Sequence, residues 1–362
     1  PQGRELPWLK RGAWGLIGAG AVAVVALLVV FWDFLARRTN NRPWDLEERL
    51  MTQGRVVWDY VGQWFWPQVE RMGLYHDDVV VSTSLSEPST TLYALLGWFA
   101  LLLACVALLR WQLGRWLVLG AGIFLVGHSM ESTVWALELS FEHRNYFPAV
   151  GLVLIVGVAY AAVVRRWPET GAPLLVMLAL VALLLAALTS SQAQVWSKRS
   201  TLVLNHVNGH PNSPRANIDM AVELATLGEA TASHRYSLRA YQNSLTERRG
   251  DYEIRNIALS CMARKPVEAA VIDSFGAADP GRPLSSVTTL LTLVRMLQDD
   301  KCPTMDRERL ADRFIVLYLG DSNVNKGKPN IYANLAVLEN ALGRYDVAYE
   351  YTERFLAMNP WN

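Results

Sequence analysis

The sequence predicts an all-α protein in two parts, with about five transmembrane helices followed by a soluble α-solenoid. Of its 362 residues, 52% are hydrophobic and 14 are Trp, and nearly all of the apolar excess lies before residue 192. After that point the chain has helical patterns punctuated by Gly and Pro, as in an ordinary soluble helical domain. We therefore expect a transmembrane domain at 1–192 and a helical domain at 193–362.

Each predicted span reaches the roughly 20 apolar residues that a bilayer crossing needs. The spans are Ala13–Leu35, Thr91–Leu109, Trp116–Leu137, Tyr146–Val164 and Ala172–Ser191. A signal sequence is the alternative for the first span, but no small-residue cleavage pattern follows it. The glycine-rich run at 15–20 resembles a dinucleotide-binding loop, yet no strand precedes it, so close helix packing explains it better.

Basic residues at three places predict the orientation of the spans. These residues are Lys10, Arg11, Arg110, Arg115, Arg165 and Arg166. The positive-inside rule makes them cytoplasmic. The 36–90 loop and the C-terminal domain then face the periplasm of a bacterial inner-membrane, multi-pass protein. Arg37 and Arg38 argue against this orientation, but nearby acidic residues offset them.

The 36–90 loop is too long to be structureless, and its first part reads as a helix lying in the membrane interface. Between Asp45 and Trp66 the apolar residues fall at near-helical spacing, and Trp58, Trp64 and Trp66 supply amphipathic rings. We expect Gly54 to be a place where this helix could break and Pro67 to end it.

His76, Asp77 and Asp78 follow in the same loop, beside the β-prone run 79–81. Acidic neighbours in a loop are usually solvated, which is the preferred interpretation. A divalent metal site is the alternative, and no other cofactor is predicted. The two interpretations differ in whether these side chains converge on one point.

Ionisable residues continue through and beyond the third span. At about 100° per residue, they share one arc of roughly 80° on a continuous helix. They are His128, Glu131, Glu138 and Glu142, with Trp135 among them. Because carboxylates are costly against lipid, we expect the stripe to face protein or a polar cavity. The structural alternative is that the carboxylates pair with arginines and join helices.

The hairpin Glu142–Pro148 follows the stripe and would form the rim of such a cavity, with Asn145 and Tyr146 as further lining residues. Arg144 carries a planar fork suited to phosphate, and His143 could add a second donor. Arg55 on the interfacial helix could supply another cation, although an ordinary lipid contact fits it equally well. A lipid-headgroup phosphate suits this depth and chemistry.

Cysteine and charge content add two expectations. Cys105 lies in a span and reads as a small hydrophobe, whereas Cys261 and Cys302 could form a structural disulfide in an oxidising compartment. The formal net charge is +1, so no nucleic-acid partner is expected.

The C-terminal half contains patterns typical of the 34-residue tetratricopeptide repeat (TPR). The clearest match carries Tyr332, Leu335, Ala336, Gly343, Tyr345, Ala348, Leu356 and Pro360. A weaker match at 213–247 carries Ala221, Leu224, Leu227, Gly228, Tyr236, Ala240 and Leu245. With degenerate repeats between them, we expect a solenoid of about three or four units that binds a protein partner or acceptor.

Several stretches together carry a family resemblance. They are 52–56, 75–78 with Ser82 and Pro88, Glu131–Ser132, Glu138 and 142–148. With the TPR tail they resemble bacterial membrane glycosyltransferases of the GT-C type, which are similar in plan to the transmembrane-and-TPR O-mannosyltransferases. The 142–148 hairpin is the most specific stretch and the tail the least.

The resemblance implies an enzyme that transfers a sugar from a polyprenyl-phosphate carrier to an extracytoplasmic acceptor. It implies Arg144 and His143 as contacts to the carrier phosphate. The family's catalytic carboxylate lies in a first external loop that has no match here, so the chain resembles a C-terminal portion. Neither Asp77 nor Asp78 takes that role.

Two other functions stay open. A non-catalytic, membrane-anchored TPR scaffold of an envelope complex explains the solenoid but not the polar stripe. A small transporter would need paired broken helices around a midplane site, and only one span is markedly polar.

Overall fold

The computed structural model of the chain describes residues 30–37, 39, 42–244, 249–264, 266–274, 287–302, 304–319 and 329–359, with positions 15, 19, 22 and 26. These residues form helices and irregular connections, and no strand occurs among them. The chain divides into two compact units. The first contains 1–67 and 79–182, and the second contains 68–78 and 183–362.

The helices follow in chain order. The first unit contains α1 (Trp32–Arg37), α2 (Leu46–Phe65), α3 (Thr90–Leu108), α4 (Gln112–His128) and α5 (Ala149–Arg166). The next helix, α6 (Gly171–Trp196), begins in the first unit and ends in the second. The second unit continues with α7 (Arg199–Gly209), α8 (Pro214–Thr226), α9 (Ala230–Asn243), α10 (Arg249–Met262), α11 (Ala269–Ser274), α12 (Val287–Gln298), α13 (Arg307–Leu319), α14 (Pro329–Leu342) and α15 (Tyr345–Met358). Short 3₁₀ helices cover Val69–Arg71, Glu142–Asn145 and Pro168–Thr170.

Within the described residues, three helices are long and apolar enough to cross a membrane: Thr90–Leu108, Ala149–Arg166 and Pro168–Trp196. They correspond to the second, fourth and fifth predicted spans, and the fourth begins at Ala149 rather than at Tyr146. The predicted third span is wrong in extent, because α4 has 17 residues and ends at His128. Most of the predicted first span lies outside the described residues.

Helix α2 is one continuous helix, so the expected break at Gly54 does not occur. Asp45 caps its N-terminus in a reciprocal capping box with Glu48, and the helix ends at Phe65, just before Pro67. Gly54 instead allows a close approach to α3. A Cβ there would lie 3.3 Å from Leu95, and the Gly54 carbonyl accepts a hydrogen bond from Trp98 Nε1 at 2.7 Å.

Helices α4 and α5 cross at two glycines. A Cβ on Gly120 would lie 2.7 Å from the carbonyl oxygen of Gly151, and a Cβ on Gly151 would meet the Gly120 carbonyl in return. Small residues let helix backbones approach in this way inside membranes. The crossing places the end of α4 beside the start of α5, where Gly127 packs against Pro148.

The two predicted repeats each form a helical hairpin, α8 with α9 and α14 with α15. Gly228 and Gly343 occupy the turns with φ of +81° and +83°, a conformation that favours glycine. In each turn the amide after the glycine donates to the carbonyl five residues earlier, Glu229 to Leu224 and Arg344 to Glu339, both at 2.9 Å. The assignment of these hairpins as TPR units and a solenoid of such repeats both remain predictions.

A disulfide joins Cys261 on α10 to Cys302 after α12, with Cα atoms 4.8 Å apart. Both cysteines are buried in the main core of the second unit, with Ile257, Leu293 and Phe314 among its members. The pairing is the one that the sequence allowed.

Candidate functional site

The predicted polar stripe lies on an irregular segment, residues 129–147, which we call the hairpin segment. Because α4 ends at His128, Glu131, Glu138 and Glu142 are not on one helix, and the prediction that they share a helical arc is wrong. Carbonyls of this segment bind side chains of α2 and its N-terminal flank instead of helical amides. This exchange explains why the helix stops where it does.

Arg49 on α2 makes the most extensive of these contacts. It is fully buried, and its guanidinium donates to three backbone carbonyls: Nε to Thr133 at 2.8 Å, Nη1 to Leu137 at 2.6 Å and Nη2 to Glu131 at 2.8 Å. Its carbon Cζ also lies 5.0 Å from the centre of the Trp44 ring. The planar fork of an arginine is suited to binding several oxygens in one plane.

Arg49 stays charged in spite of its burial. Loss of water, reinforced by the positive charges of Arg144 and Arg42, lowers its pKa to about 10. The side chain therefore remains protonated at neutral pH and keeps all three hydrogen bonds.

Two further arginines pair with the carboxylates of the predicted stripe. Arg144 Nε lies 2.8 Å from Glu131, and its Nη1 donates to the Glu138 carbonyl at 2.6 Å. Arg42 Nη1 lies 3.1 Å from the Glu138 carboxylate, and its Nη2 donates to the Ala136 carbonyl at 3.0 Å. The Arg144 side chain is only 5% exposed, so its contacts lie within the protein.

The rest of the hairpin segment runs along the buried face of α2. Gln53 Nε2 donates to the Leu139 carbonyl at 2.7 Å, and the Phe141 amide donates to the Tyr60 hydroxyl at 2.8 Å. Asn145 Nδ2 then donates to the Tyr60 carbonyl at 3.0 Å. The segment and the helix therefore advance in the same direction and form one module.

His128 ends α4 inside this module. Its ring is buried, stacks on Tyr60 with centroids 5.0 Å apart and meets the edge of Phe124 at 4.7 Å. The cavity predicted around His128, Glu131, Glu138, Glu142, Asn145 and Tyr146 stays a prediction; of these residues, His128 and Asn145 are buried and the Glu131 side chain is 28% exposed. Glu142 is half-buried.

The last part of the hairpin segment faces outward. His143 is exposed, its ring lies 5.3 Å from Phe141, and Tyr146 is 77% exposed. Phe147 is also exposed, and α5, a candidate membrane span, begins two residues later. Aromatic rings at the end of a span suit the headgroup layer.

The three predicted phosphate contacts therefore differ in their surroundings. Arg144 points into the module, whereas His143 points out of it. Arg55 donates to the Val80 carbonyl at 2.9 Å and to Ser82 Oγ at 3.2 Å. Its guanidinium thus fixes the 80–82 stretch against α2.

The sequence pattern did not identify Arg42 and Arg49 as residues that bind the hairpin segment. A signal for Arg49 was present, because it lies three residues after Leu46 and seven before Val56, on the face of α2 that is buried. A cation on the apolar face of an amphipathic helix needs acceptors nearby. Its acceptors, however, lie more than 80 residues further along the chain.

The residues considered for a metal site belong to the second unit and have other partners. Asp78 lies 2.9 Å from His210 Nδ1, and Asp77 accepts from Ser213 Oγ at 2.5 Å. No group of three or more His, Cys, Asp or Glu suited to a metal occurs among the described residues. The interpretation of Asp77 and Asp78 as merely solvated is wrong, because both contact the start of α8 or the turn before it.

A concave surface lies between α8, α10 and α12. It is mostly apolar, with one cation, Arg255, whose Cζ lies 5.8 Å from the Tyr252 ring centre. The lining residues are Ile218, Val222, Arg255, Ala258, Leu259, Met262, Thr292 and Met296. Such a lining suits an apolar side chain next to a carboxylate.

No protein-family model, no curated protein and no solved structure matches the chain.

Proposed function

We propose that the chain belongs to a membrane glycosyltransferase of the GT-C type, which takes a sugar from a polyprenyl-phosphate carrier. The acceptor is extracytoplasmic. The C-terminal helical domain binds either this acceptor or a protein partner. One observation carries the proposal: the stretch with the most specific family resemblance, 142–148, is fixed by α2 so that His143, Tyr146 and Phe147 face outward at the start of a candidate span.

Within this proposal, the contacts divide the predicted phosphate site into two roles. His143 is exposed and donates a hydrogen bond to the carrier phosphate. Arg144 positions His143, because it ties the hairpin segment to Glu131 and to the Glu138 carbonyl. Arg55 fixes the neighbouring 80–82 stretch in the same way.

The reaction would be displacement at the anomeric carbon of the sugar. The bond from that carbon to the phosphate oxygen breaks while the bond to the acceptor oxygen forms, and negative charge grows on the departing phosphate. A hydrogen-bond donor already in place lowers the energy of that charge without reorganisation.

The proposal is tested by sugar transfer from a polyprenyl-phosphate donor by the full-length protein in proteoliposomes. For His143→Ala we expect a fall in kcat of about a hundredfold, since removal of one preorganised donor has effects of that size. The thermal midpoint should not change, because the ring is exposed. His234→Ala, which removes an exposed histidine on α9, is the control and should retain full turnover. Normal turnover by His143→Ala would overturn the assignment.

A non-catalytic membrane scaffold is the second candidate function. It is favoured by the pairing of Glu131 with Arg144 and of Glu138 with Arg42, which accounts for the polar residues without any chemistry. The surface between α8, α10 and α12 would then bind a partner of the envelope complex. The same assay separates the two candidates, because a scaffold transfers no sugar even as the wild-type full-length protein.

A further inference from the structure

The 68–78 segment, between α2 and α3 in the chain, packs within the second unit against the turn that joins α7 to α8. Its contacts centre on His210, whose side chain is 10% exposed. His210 Nδ1 lies 2.9 Å from the Asp78 carboxylate, and His210 Nε2 lies 2.8 Å from the Arg71 carbonyl. One imidazole ring therefore joins both ends of the segment to the helical unit.

Both partners of this ring are acceptors, and this determines its protonation. A carboxylate and a backbone carbonyl cannot donate, so each ring nitrogen must carry a hydrogen for both bonds to form. Only the imidazolium form carries two. A neutral ring presents a lone pair to one of the two oxygens, which breaks that bond.

The charged groups around His210 come from both sides of the contact. From the 68–78 segment, Asp78 favours the charged ring, and the ring of His76 meets it edge-on with centroids 4.7 Å apart. From α8, Arg215 opposes the charge but lies 3.5 Å from Asp77, which offsets it. His206, one turn earlier on α7, lies against the Leu74 amide at 3.3 Å.

Three other contacts of the segment involve no histidine. The Tyr75 hydroxyl donates to Asp219 at 2.7 Å, Ser213 Oγ donates to Asp77, and Gln192 Nε2 donates to the Met72 carbonyl at 3.3 Å. The segment therefore has permanent attachments at its middle and beside each of the two residues that His210 binds. The attachment through His210, at Arg71 and Asp78, requires a charged ring.

We propose that His210 is a pH-operated switch that binds both Asp78 and the Arg71 carbonyl of the 68–78 segment when protonated and gives up one of these two bonds when neutral. The proposal is independent of the glycosyltransferase assignment. A histidine is the side chain suited to such a role, because it titrates between about pH 5 and 8 in ordinary surroundings.

The test is hydrogen exchange by mass spectrometry on the full chain in nanodiscs, with the peptide that covers 68–78 corrected for intrinsic exchange. Between about pH 5.5 and about pH 8.5 we expect the protection of this peptide to fall roughly tenfold or more, the equivalent of one lost hydrogen bond to a charged group. In His210→Gln the protection should be low and constant. His234→Gln, on an exposed histidine of the same unit, should behave as the wild type.

Asp78→Asn is a second variant that keeps the proposal testable if His210→Gln fails to fold. Its amide can donate to a neutral ring while the other ring nitrogen donates to Arg71, so the pH dependence should largely disappear. Nitrogen chemical shifts of a labelled His210 ring should show both nitrogens protonated at the lower pH. A single protonated nitrogen there, or wild-type protection that does not change with pH, would overturn the proposal.

Discussion

The hairpin segment and the 68–78 segment are both irregular stretches fixed by side chains that bind their backbone carbonyls, yet they use different cations. Arg42, Arg49 and Arg144 bind the first, and His210 binds the second. An arginine stays charged at any physiological pH, whereas a histidine does not. The same kind of contact is therefore independent of pH in the first unit and depends on pH in the second.

Removal of Arg49 should have the largest effect on the stability of the hairpin segment. Arg49→Met would leave the carbonyls of Glu131, Thr133 and Leu137 buried without their donor, at a cost of about 5 kcal/mol in the free energy of unfolding. We expect a large fall in the thermal midpoint of the purified protein. Arg110→Met, at an exposed arginine after α3, is the matched control. Equal stability of the two variants would show that Arg49 does not fix the hairpin segment.

A smaller effect separates the two carboxylate pairs of the same region. Glu131→Gln leaves the buried Arg144 without its counter-charge, and we expect a loss of about 2 kcal/mol, reduced from the fully buried case because Glu131 is 28% exposed. Glu138→Gln affects a pair with both members about one-third exposed, and should cost below about 1 kcal/mol. Thermal unfolding of both variants measures the difference, and the reverse order would contradict these assignments.

The smallest effect concerns a buried carboxylate outside both regions. Burial raises the pKa of Glu339 on α14, although Arg344 Nε lies 3.2 Å away and acts in the opposite direction. Since the folded pKa exceeds the unfolded one, the native state binds more protons, and stability falls as pH rises from the unfolded pKa through the folded pKa.

Glu339→Gln removes the titrating group and should lessen this loss of stability between about pH 4 and about pH 7. Unfolding measured across that range tests the expectation, with Glu350→Gln on the exposed face of α15 as control. Parallel stability curves for wild type and Glu339→Gln would contradict it.

The sequence was sufficient where local pattern decides the structure. Apolar length located three spans, and the glycines at 228 and 343 located the turns of two helical hairpins. The extent of α4 could not be found in this way. A helical arc drawn from His128 to Glu142 assumes a continuous helix. The local sequence does not reveal that Arg49, about 80 residues earlier, donates hydrogen bonds to backbone carbonyls of residues 131–137.

The same limit applies to the second unit. Asp77 and Asp78 look like solvated loop residues because their partners, Ser213 and His210, lie more than 130 residues further on. The functional importance of the stretch 142–148 stays a prediction. In this stretch His143 points outward and Arg144 points inward, because Arg144 pairs with Glu131. The spacing of the residues alone does not show this pairing.

The most direct test is hydrogen exchange of both segments in one sample as pH is raised, because it shows whether only the 68–78 segment depends on pH. Corrected protection of the peptide that covers 129–145 should stay constant between about pH 5.5 and about pH 8.5, because its arginines keep their charge, while the 68–78 peptide loses protection. A parallel loss in both peptides, or constant protection in both, would contradict the account.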